Sequence, residues 1–102
     1  MFSDKVYSIV KKIPKGRVST YKAIGDALHT KAYRSIGSIL KRNPSAPHVP
    51  CHRVVASDGS IGGYMGKTSG KNIKTKIAML RKEGIEIKNN KILDFRNKMI
   101  KF

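Results

Sequence analysis

Apolar residues recur at helical spacing in four stretches of the chain, and residues that stop helices follow each stretch. Pro14-Lys15-Gly16 ends the first predicted helix, whose apolar positions are Phe2, Val6, Ile9, Val10 and Ile13. We predict Ser19 as the N-cap of the second helix, because a serine side chain there can accept a hydrogen bond from a free backbone N–H. The apolar stripe of the second helix consists of Ala23, Ile24, Ala27 and Leu28.

A third helix is predicted after the link His29-Thr30-Lys31, and Asn43-Pro44 ends it. Its apolar stripe consists of Ile36, Ile39 and Leu40, and its outward face of Arg34, Ser35, Gly37, Ser38, Lys41 and Arg42. Two short helices joined by a tight link are typical of a helix-turn-helix. Gly37 costs a helix up to about 1 kcal/mol relative to alanine, so it indicates either close helix packing or close approach of a ligand.

The second half of the chain changes its pattern. Val54-Val55-Ala56 is predicted as a short strand, and Ser57-Asp58-Gly59 as a turn before the glycine-rich segment 61–66. A fourth helix carries Ile73, Ile77 and Leu80, and Gly84 is placed to cap its C-terminus. The segment 85–102 has short apolar runs on either side of Asn89-Asn90, which favours a terminal hairpin.

Length and charge limit the classes of function. The 102 residues predict one domain, 1–102. Twenty-two Lys and Arg against six Asp and Glu give a net charge of +16, which indicates a polyanionic partner such as nucleic acid. A thermophile's surface would pair its lysines with glutamates, and a membrane-surface helix would gather them on one face; neither pattern is present. No apolar run is long enough to span a bilayer, so we expect a cytoplasmic protein without membrane contact.

The single cysteine stands in Pro50-Cys51-His52-Arg53-Val54, directly before a histidine and an arginine. A thiol attacks as its thiolate, which neighbouring cations or proton acceptors favour. The alternative is that Cys51 is a small buried hydrophobic residue. His48, Cys51 and His52 could also bind a metal, but structural zinc needs four ligands in spaced pairs, so we predict no metal.

Pro50-Cys51-His52-Arg53-Val54-Val55, followed by Gly59 and Gly63-Tyr64, resembles the active-site segment of the O6-alkylguanine-DNA alkyltransferases, which are methylated-DNA-protein-cysteine methyltransferases. The resemblance continues in order through segments 16–21, 34–37, 43–44, Leu80 and 83–84. It implies the catalytic C-terminal domain alone, with an α+β, mainly helical, winged-helix-like fold and a helix-turn-helix DNA-binding element. The implied function is irreversible transfer of an alkyl group from O6-alkylguanine in double-stranded DNA to Cys51, once per molecule and without a cofactor.

The resemblance also implies roles for the reacting residues. Cys51 is the nucleophile, His52 is the base that acts through water, and Glu83 holds the histidine. Tyr21 helps to rotate the nucleotide and protonates the leaving base. From the residues alone, Tyr21 is equally a half-buried core tyrosine, and Glu83 a surface partner of a nearby cation: Lys76, Arg81 or Lys82.

The third helix is implied to enter the minor groove, where Arg34 takes the place of the flipped nucleotide. The other predicted DNA-binding residues are Ala32, Tyr33, Ser35, Gly37 and Ser38. Tyr33 departs from the small residue usual there, so either the groove contact is wider or the tyrosine packs against sugar and phosphate. Asn43 is the expected hinge between this helix and the cysteine loop, or a simple helix cap, and Tyr64, Met65 and Gly66 are expected to line the substrate pocket.

Two further departures concern the ends of the matching segments. We expect the family's usual N-terminal domain to be absent. The link through 67–72 is several residues longer than usual, which could admit bulkier alkyl groups. We expect a monomer. The alternative function is a non-catalytic module that recognises alkylated bases, although the related non-enzymatic proteins lack the cysteine; a helix-turn-helix regulator would need a dimerisation stripe that the sequence does not contain.

Overall fold

The computed structural model describes residues 1–46, 48–64 and 70–102. Its elements, in chain order, are α1 (Phe2–Val10), β1 (Ser19–Thr20), α2 (Tyr21–Ala27), α3 (Tyr33–Lys41), a 3-10 helix (Cys51–Arg53), β2 (Val54–Val55), α4 (Lys71–Lys82), β3 (Ile87–Lys88), β4 (Lys91–Ile92) and α5 (Phe95–Lys98). The predicted α+β, mainly helical fold is therefore confirmed.

Helices α1, α2 and α3 share one apolar core, because each presents its predicted stripe to the other two. The buried side chains of this core include Val6, Val10, Ile24, Ile36 and Leu40. Cys51 and Val54 belong to the same cluster, so the cysteine lies against the helix-turn-helix core. The Tyr7 hydroxyl donates to the Ile39 carbonyl oxygen at 2.9 Å, which ties α1 to α3.

A second core joins α4 to the strands. It contains Val18, Val55, Ile61, Ile73, Leu80, Ile85, Ile87 and Ile92. Tyr64 packs against both cores, so it lies where the helix-turn-helix half meets the α4 half.

β1 and β2 pair in parallel, with Ser19 opposite Val54 and Thr20 opposite Val55. β1 leads directly into Tyr21 at the start of α2, and β2 directly follows the 3-10 helix that contains Cys51. In this parallel pair Tyr21 follows the carboxyl end of β1, whereas Cys51 lies before the amino end of β2. The tyrosine and the predicted nucleophile, 30 positions apart in sequence, are still close enough for the charge of Cys51 to affect Tyr21.

Residues 85–102 are integrated into the fold. The predicted hairpin is confirmed as β3 and β4, with Ile87 opposite Ile92. Asn89 and Asn90 both have positive φ, 52° and 59°, as a two-residue type I′ turn requires. The short helix α5 was not predicted. Met99 then pairs with Val18 in parallel, so β1 has neighbours on both edges.

Two helix termini differ from the predictions. α1 ends at Val10, so Ile13, predicted as part of the first helix, lies after it. α4 ends where predicted: Glu83 is its C-cap residue, and Gly84 follows with φ of +92°, the left-handed conformation typical of the residue after the cap. The Ser19 prediction was wrong: Thr20 is the N-cap of α2, and its side chain accepts from the Ala23 N–H at 3.0 Å. Ser19 lies inside β1 and donates instead to the Ile100 carbonyl oxygen. Two adjacent hydroxyl residues each suit a cap and both lie in β1, and Thr20 is the one that directly precedes the first helical residue, Tyr21.

Within the described ranges, none of the helices has the length and apolar character needed to cross a membrane.

Candidate active site

The loop before the 3-10 helix positions Cys51. The Cys51 N–H donates to the Val49 carbonyl oxygen at 2.8 Å, which folds the loop tightly over the core. The side chain is buried, with 6% exposed. Burial raises the pKa of the Cys51 thiol above its ordinary value of 9.0, while the Asn43 side chain and the charge of Lys76 act in the opposite direction.

Asn43 joins the end of α3 to the cysteine loop. Its Nδ2 donates to the Val49 carbonyl oxygen at 2.8 Å, and its Oδ1 accepts from the Ser45 N–H at 3.0 Å. The residue is buried, so both hydrogen bonds are shielded from solvent. Val49 therefore accepts from both Asn43 and Cys51, and a shift of α3 is transmitted to the nucleophile through one carbonyl group.

His52 and Glu83 are in direct contact. The His52 Nε2 lies 3.0 Å from Glu83 Oε2. Because a carboxylate only accepts hydrogen bonds, Nε2 carries the proton, and the neutral ring has its lone pair on Nδ1. Nδ1 is buried and has no hydrogen-bond partner among the described residues. Burial lowers the pKa of His52 below its ordinary value of 6.5, although the Glu83 hydrogen bond and charge oppose this.

Arg53 completes this arrangement in a way that the sequence did not indicate. Its Nε donates to Glu83 Oε1 at 2.9 Å, and its NH2 donates to Glu83 Oε2 at 2.7 Å. A third bond, from NH1 to the Ile13 carbonyl oxygen at 2.8 Å, anchors the guanidinium to the end of the first helical region. The sequence placed Arg53 as a cation beside the thiol, whereas the structure uses it to hold the carboxylate.

Glu83 therefore lies at the centre of a network. It is the C-cap residue of α4, and none of its surface alternatives, Lys76, Arg81 or Lys82, forms a salt bridge with it. Burial alone would raise the pKa of Glu83, but the hydrogen bonds and charges of Arg53 and His52 together hold it below 4.5. The carboxylate is ionised near neutral pH and keeps the histidine in one tautomer.

Two tyrosines lie close enough to Cys51 for its charge to affect them. Burial raises the pKa of Tyr21, and the Cys51 charge raises it further; the same causes act on Tyr64. A Cβ on Gly62 would lie 4.0 Å from the Tyr21 hydroxyl, so the glycine-rich segment packs against this tyrosine. The structure therefore brings Tyr21, Cys51 and Tyr64 together.

The outer face of α3 is available to a ligand. Arg34, Ser35 and Ser38 are exposed on it, and Ala32 is exposed as the N-cap residue. A Cβ on Gly37 would meet no protein atom within 4 Å, so helix packing does not explain this glycine. Of the two interpretations of Gly37, close approach of a ligand is the one that the structure favours.

Tyr33 makes a packing contact inside the helix-turn-helix that the sequence did not indicate. The ring is half-buried and packs on Gly25 in α2, where a Cβ would lie 2.5 Å from the Tyr33 Cε1 atom. The missing side chain of Gly25 therefore makes room for the ring. Tyr33 supports the angle between the two helices of the helix-turn-helix.

Most of the positive charge has no acidic partner. In the described part of the chain, only Lys22 and Arg53 among the lysines and arginines form salt bridges. Unpaired cations over the surface are available to a polyanion.

One buried residue was missed. Lys76 was considered only as a surface partner of Glu83, yet its side chain is 0% exposed. Its position, three residues after Ile73 and four before Leu80, lies on the apolar stripe of α4, and this was the available signal.

No group of three or more His, Cys, Asp or Glu in the described residues is arranged to hold a metal ion. Met65 and Gly66 lie outside the described residues, as do positions 67–69 of the long link. Lys71 and Asn72, which were assigned to the link, are already in α4.

Residues 1–85 match the family model of the 6-O-methylguanine DNA methyltransferase DNA-binding domain. The chain belongs to this family. Cys51, His52 and Glu83 lie inside the matched range, as do Tyr21 and Arg34. The family model describes a DNA-binding domain. The match therefore confirms a DNA-binding domain of the methyltransferase family and does not by itself establish the transfer reaction.

Relatives in the 6-O-methylguanine DNA methyltransferase family include a Saccharolobus solfataricus methylated-DNA–protein-cysteine methyltransferase, 44% identical over 86 residues. A bifunctional methyltransferase/endonuclease of Picrophilus torridus is 43% identical over 88 residues. The matches cover 84% and 85% of this chain but 52% and 28% of those proteins. The chain thus spans about half or less of these curated relatives.

One solved structure matches nearly end to end. S. pombe Atl1, in complex with damaged DNA containing O6-carboxymethylguanine, superposes with a TM-score of 0.84 at 31% identity. The superposition covers 99% of this chain and 95% of Atl1. It includes the hairpin and α5, which lie beyond the range of the family model.

Proposed function

We propose that this domain binds double-stranded DNA containing O6-alkylguanine and transfers the alkyl group to Cys51, once per molecule. The observation that carries the proposal is the network in which Arg53 holds Glu83, Glu83 holds His52, and His52 follows the only cysteine. A nucleophile, a base and an orienting carboxylate are the parts that an activated thiol needs. Membership of an alkylguanine methyltransferase family supports the same reaction.

The first step is deprotonation of Cys51. Burial raises the pKa of the thiol, so a base is needed near neutral pH. The His52 Nδ1 lone pair is the acceptor, since Glu83 holds the proton on Nε2. We place one water molecule between Sγ and Nδ1, in keeping with the family resemblance. His52 is neutral above pH 6.5 because burial lowers its pKa, so it is in its basic form near pH 7.

In the transfer step, the Cys51 thiolate attacks the sp3 carbon bound to O6 of guanine. The carbon–oxygen bond breaks, its electron pair passes to the base, and a carbon–sulfur bond forms. Tyr21 then supplies a proton to the base; its raised pKa keeps it protonated near pH 7. The thioether has no good leaving group, so the reaction stops after one equivalent. The mechanism calls for no cofactor.

The DNA would approach the exposed face of α3. Arg34 lies in the first turn of this helix and is exposed, which suits insertion where the damaged nucleotide has left the stack. Gly37 permits close contact with the groove. Asn43 would pass the position of α3 to the cysteine loop. We propose that one molecule acts alone on each lesion, and that it works in the reducing cytoplasm where its thiol stays free.

Mass spectrometry tests this proposal. Incubation with a duplex carrying O6-methylguanine should add one methyl group to the peptide that contains Cys51. Repaired guanine should equal protein and then stop. Cys51→Ser should still bind the lesion but transfer nothing, since a hydroxyl is a much poorer nucleophile near neutral pH. Repair beyond one equivalent, or repaired DNA beside an unmodified Cys51 peptide, contradicts the mechanism.

The second candidate is a module that recognises alkylated bases without chemistry. It is favoured by the end-to-end similarity to Atl1, a protein of nearly the same extent crystallised on damaged DNA. Tight binding to the lesion duplex by the reduced wild-type protein, with no methyl group gained by Cys51, would select this function.

A further inference from the structure

Lys76 is the buried cation of this domain. In the described part of the chain it is the only buried lysine or arginine, with 0% of its side chain exposed. A buried ammonium is costly unless several groups compensate its charge. No carboxylate among the described residues forms a salt bridge with it, so the compensation comes from elsewhere.

Three backbone carbonyl oxygens surround the Lys76 Nζ atom. Nζ donates to Val54 at 2.8 Å, to Ile61 at 2.6 Å and to Gly63 at 2.8 Å. Val54 directly follows the 3-10 helix of Cys51, whereas Ile61 and Gly63 belong to the glycine-rich segment. Three acceptors need three N–H donors, and only the ammonium form of lysine has three. The geometry is therefore that of a charged clamp between two segments of the site.

The charge of this clamp reaches the nucleophile. Lys76 favours the Cys51 thiolate, and the thiolate in turn favours the ammonium. Burial lowers the pKa of Lys76 from 10.5 to about 7, so the ammonium depends on such compensation. The Lys76 charge also lowers the pKa of His52, which keeps the base neutral.

The other groups near the thiol do not replace Lys76. Arg53 is committed to Glu83 and Ile13, and this pair also holds His52. Burial, and to a smaller extent the Cys51 charge, raises the pKa of the two neighbouring phenols, Tyr21 and Tyr64, so they stay neutral near pH 7. Of Arg53 and Lys76, Lys76 is thus the cation that is free of a carboxylate and whose charge acts on the thiol.

We propose that Lys76 is a positioning residue for the transfer reaction, which holds the strand after Cys51 against the glycine-rich segment and, in its ammonium form, stabilises the thiolate. The proposal rests on the proposed transfer to Cys51. Lys76 gives up no proton: the thiol proton passes to His52, the negative charge on sulfur passes to guanine on attack, and the ammonium is unchanged at the end.

Lys76→Met tests this role, because methionine keeps an unbranched apolar side chain and removes the charge and the donors. Lys74→Met is the matched control, since Lys74 is exposed on the same helix. Because the chain has a single cysteine, a protein labelled with ¹³C only at the cysteine Cβ gives one resonance, and the pH titration of this resonance reports the pKa of the Cys51 thiol directly. We expect the thiol pKa to rise by about one unit in Lys76→Met, the lower end of the effect of a nearby opposite charge.

The same variant should transfer the methyl group about tenfold more slowly near pH 7.5, because one pKa unit is a tenfold change in thiolate fraction. The rate should recover as the pH is raised, which a merely misfolded site would not do. Lys74→Met should match the wild type in thiol titration and in rate. A folded Lys76→Met protein with an unchanged thiol pKa overturns the proposal.

If Lys76→Met does not fold, the wild type and Cys51→Ser provide the test. Linkage is reciprocal, so the Lys76 ammonium, followed by ¹⁵N NMR of its side chain, should hold its proton to a higher pH in the wild type than in Cys51→Ser over the pH range where the thiol ionises. An identical Lys76 titration in both proteins overturns the proposal. Failure of the proposed function is separate: wild-type protein that gains no methyl group from DNA refutes the transfer whatever the titrations give.

Discussion

Replacing Glu83 with glutamine removes one charge from the most connected carboxylate of the site and changes its size very little. Glu83 accepts three hydrogen bonds, one from His52 and two from Arg53. Glutamine keeps one acceptor oxygen and turns the other into an amide donor. Whichever way it is oriented, an N–H donor of Arg53 or His52 faces an NH₂ group, and the ion pair with Arg53 is lost.

The magnitude follows from burial. The Glu83 and Arg53 side chains are 12% and 16% exposed, so solvent replaces little of what is lost. A hydrogen bond to a charged group contributes about 1.5–3 kcal/mol, and breaking a fully buried pair costs about 3–5 kcal/mol. We expect Glu83→Gln to lower the free energy of unfolding by about 2–4 kcal/mol at pH 7. Transfer should slow by about 10- to 100-fold, as when a group that orients a histidine is lost.

Acid should remove the difference in free energy of unfolding between the wild type and Glu83→Gln. Since the folded pKa of Glu83 lies below 4.5, the folded state binds fewer protons than the unfolded state just below that pH. The stability that Glu83 contributes is complete above pH 4.5 and is lost as the pH falls through its folded value. The free energies of unfolding of the wild type and Glu83→Gln, measured by urea unfolding from pH 7 to pH 3, should therefore converge as the pH falls.

Glu86→Gln is the matched control. It is the same chemical change at an exposed glutamate that forms no salt bridge within the described residues, and we expect it to alter stability by less than about 0.5 kcal/mol. If Glu83→Gln and Glu86→Gln unfold alike at pH 7, or if the Glu83 difference persists unchanged at pH 3, the reasoning about this network is refuted.

Three other predictions concern DNA and packing. Arg34→Ala should weaken binding to a lesion duplex more than binding to undamaged DNA, whereas Lys41→Ala, on the same helix, should weaken both slightly and equally. Fluorescence anisotropy across a salt series measures both affinities, which should fall steeply as salt rises; equal losses for Arg34→Ala contradict its insertion into the duplex. Gly25→Ala should destabilise the protein by about 1–3 kcal/mol, because the new Cβ would lie 2.8 Å from the Thr30 carbonyl oxygen. Gly37→Ala, in open space, should stabilise the protein by up to about 1 kcal/mol and weaken DNA binding; a Gly37→Ala protein that unfolds more easily contradicts an open helix face. Methylation of Cys51, which is 6% exposed, should lower the melting temperature by the equivalent of about 1–3 kcal/mol in differential scanning calorimetry; a spent protein that melts at or above the unreacted temperature contradicts tight packing around the sulfur.

The elements with strong local signals were predictable from the sequence. Apolar periodicity located α1 to α4, Gly84 marked the end of α4, and Asn89-Asn90 marked the hairpin turn. Local signals failed where two neighbours were equivalent. Ser19 and Thr20 both suit an N-cap and both pair with β2, so neither residue type nor strand pairing distinguishes them. The helix α5 has four residues, too few for a periodic pattern.

The site was predictable as a set of residues but not as a network. The motif around Cys51 named the cysteine and histidine, and the resemblance added Glu83. The direction of the Arg53 side chain depends on where α4 ends in space, which no local pattern contains. The burial of Lys76 was not predicted because lysine is rarely buried. Its three acceptors are backbone carbonyl oxygens, which every residue type has, so the sequence does not indicate them.

The Met99–Val18 pairing sets an order on folding. The Val18 N–H donates to the Lys98 carbonyl oxygen, and the Ile100 N–H donates back to Val18, across about 80 residues of chain. Contacts this distant form late, after the local helices, because the loop between them must first be closed. The backbone that leads into Tyr21 is thus secured on one edge only when residues 98–100 return to it. A chain cut before residue 98 would retain every residue of the proposed chemistry yet lose the support under α2.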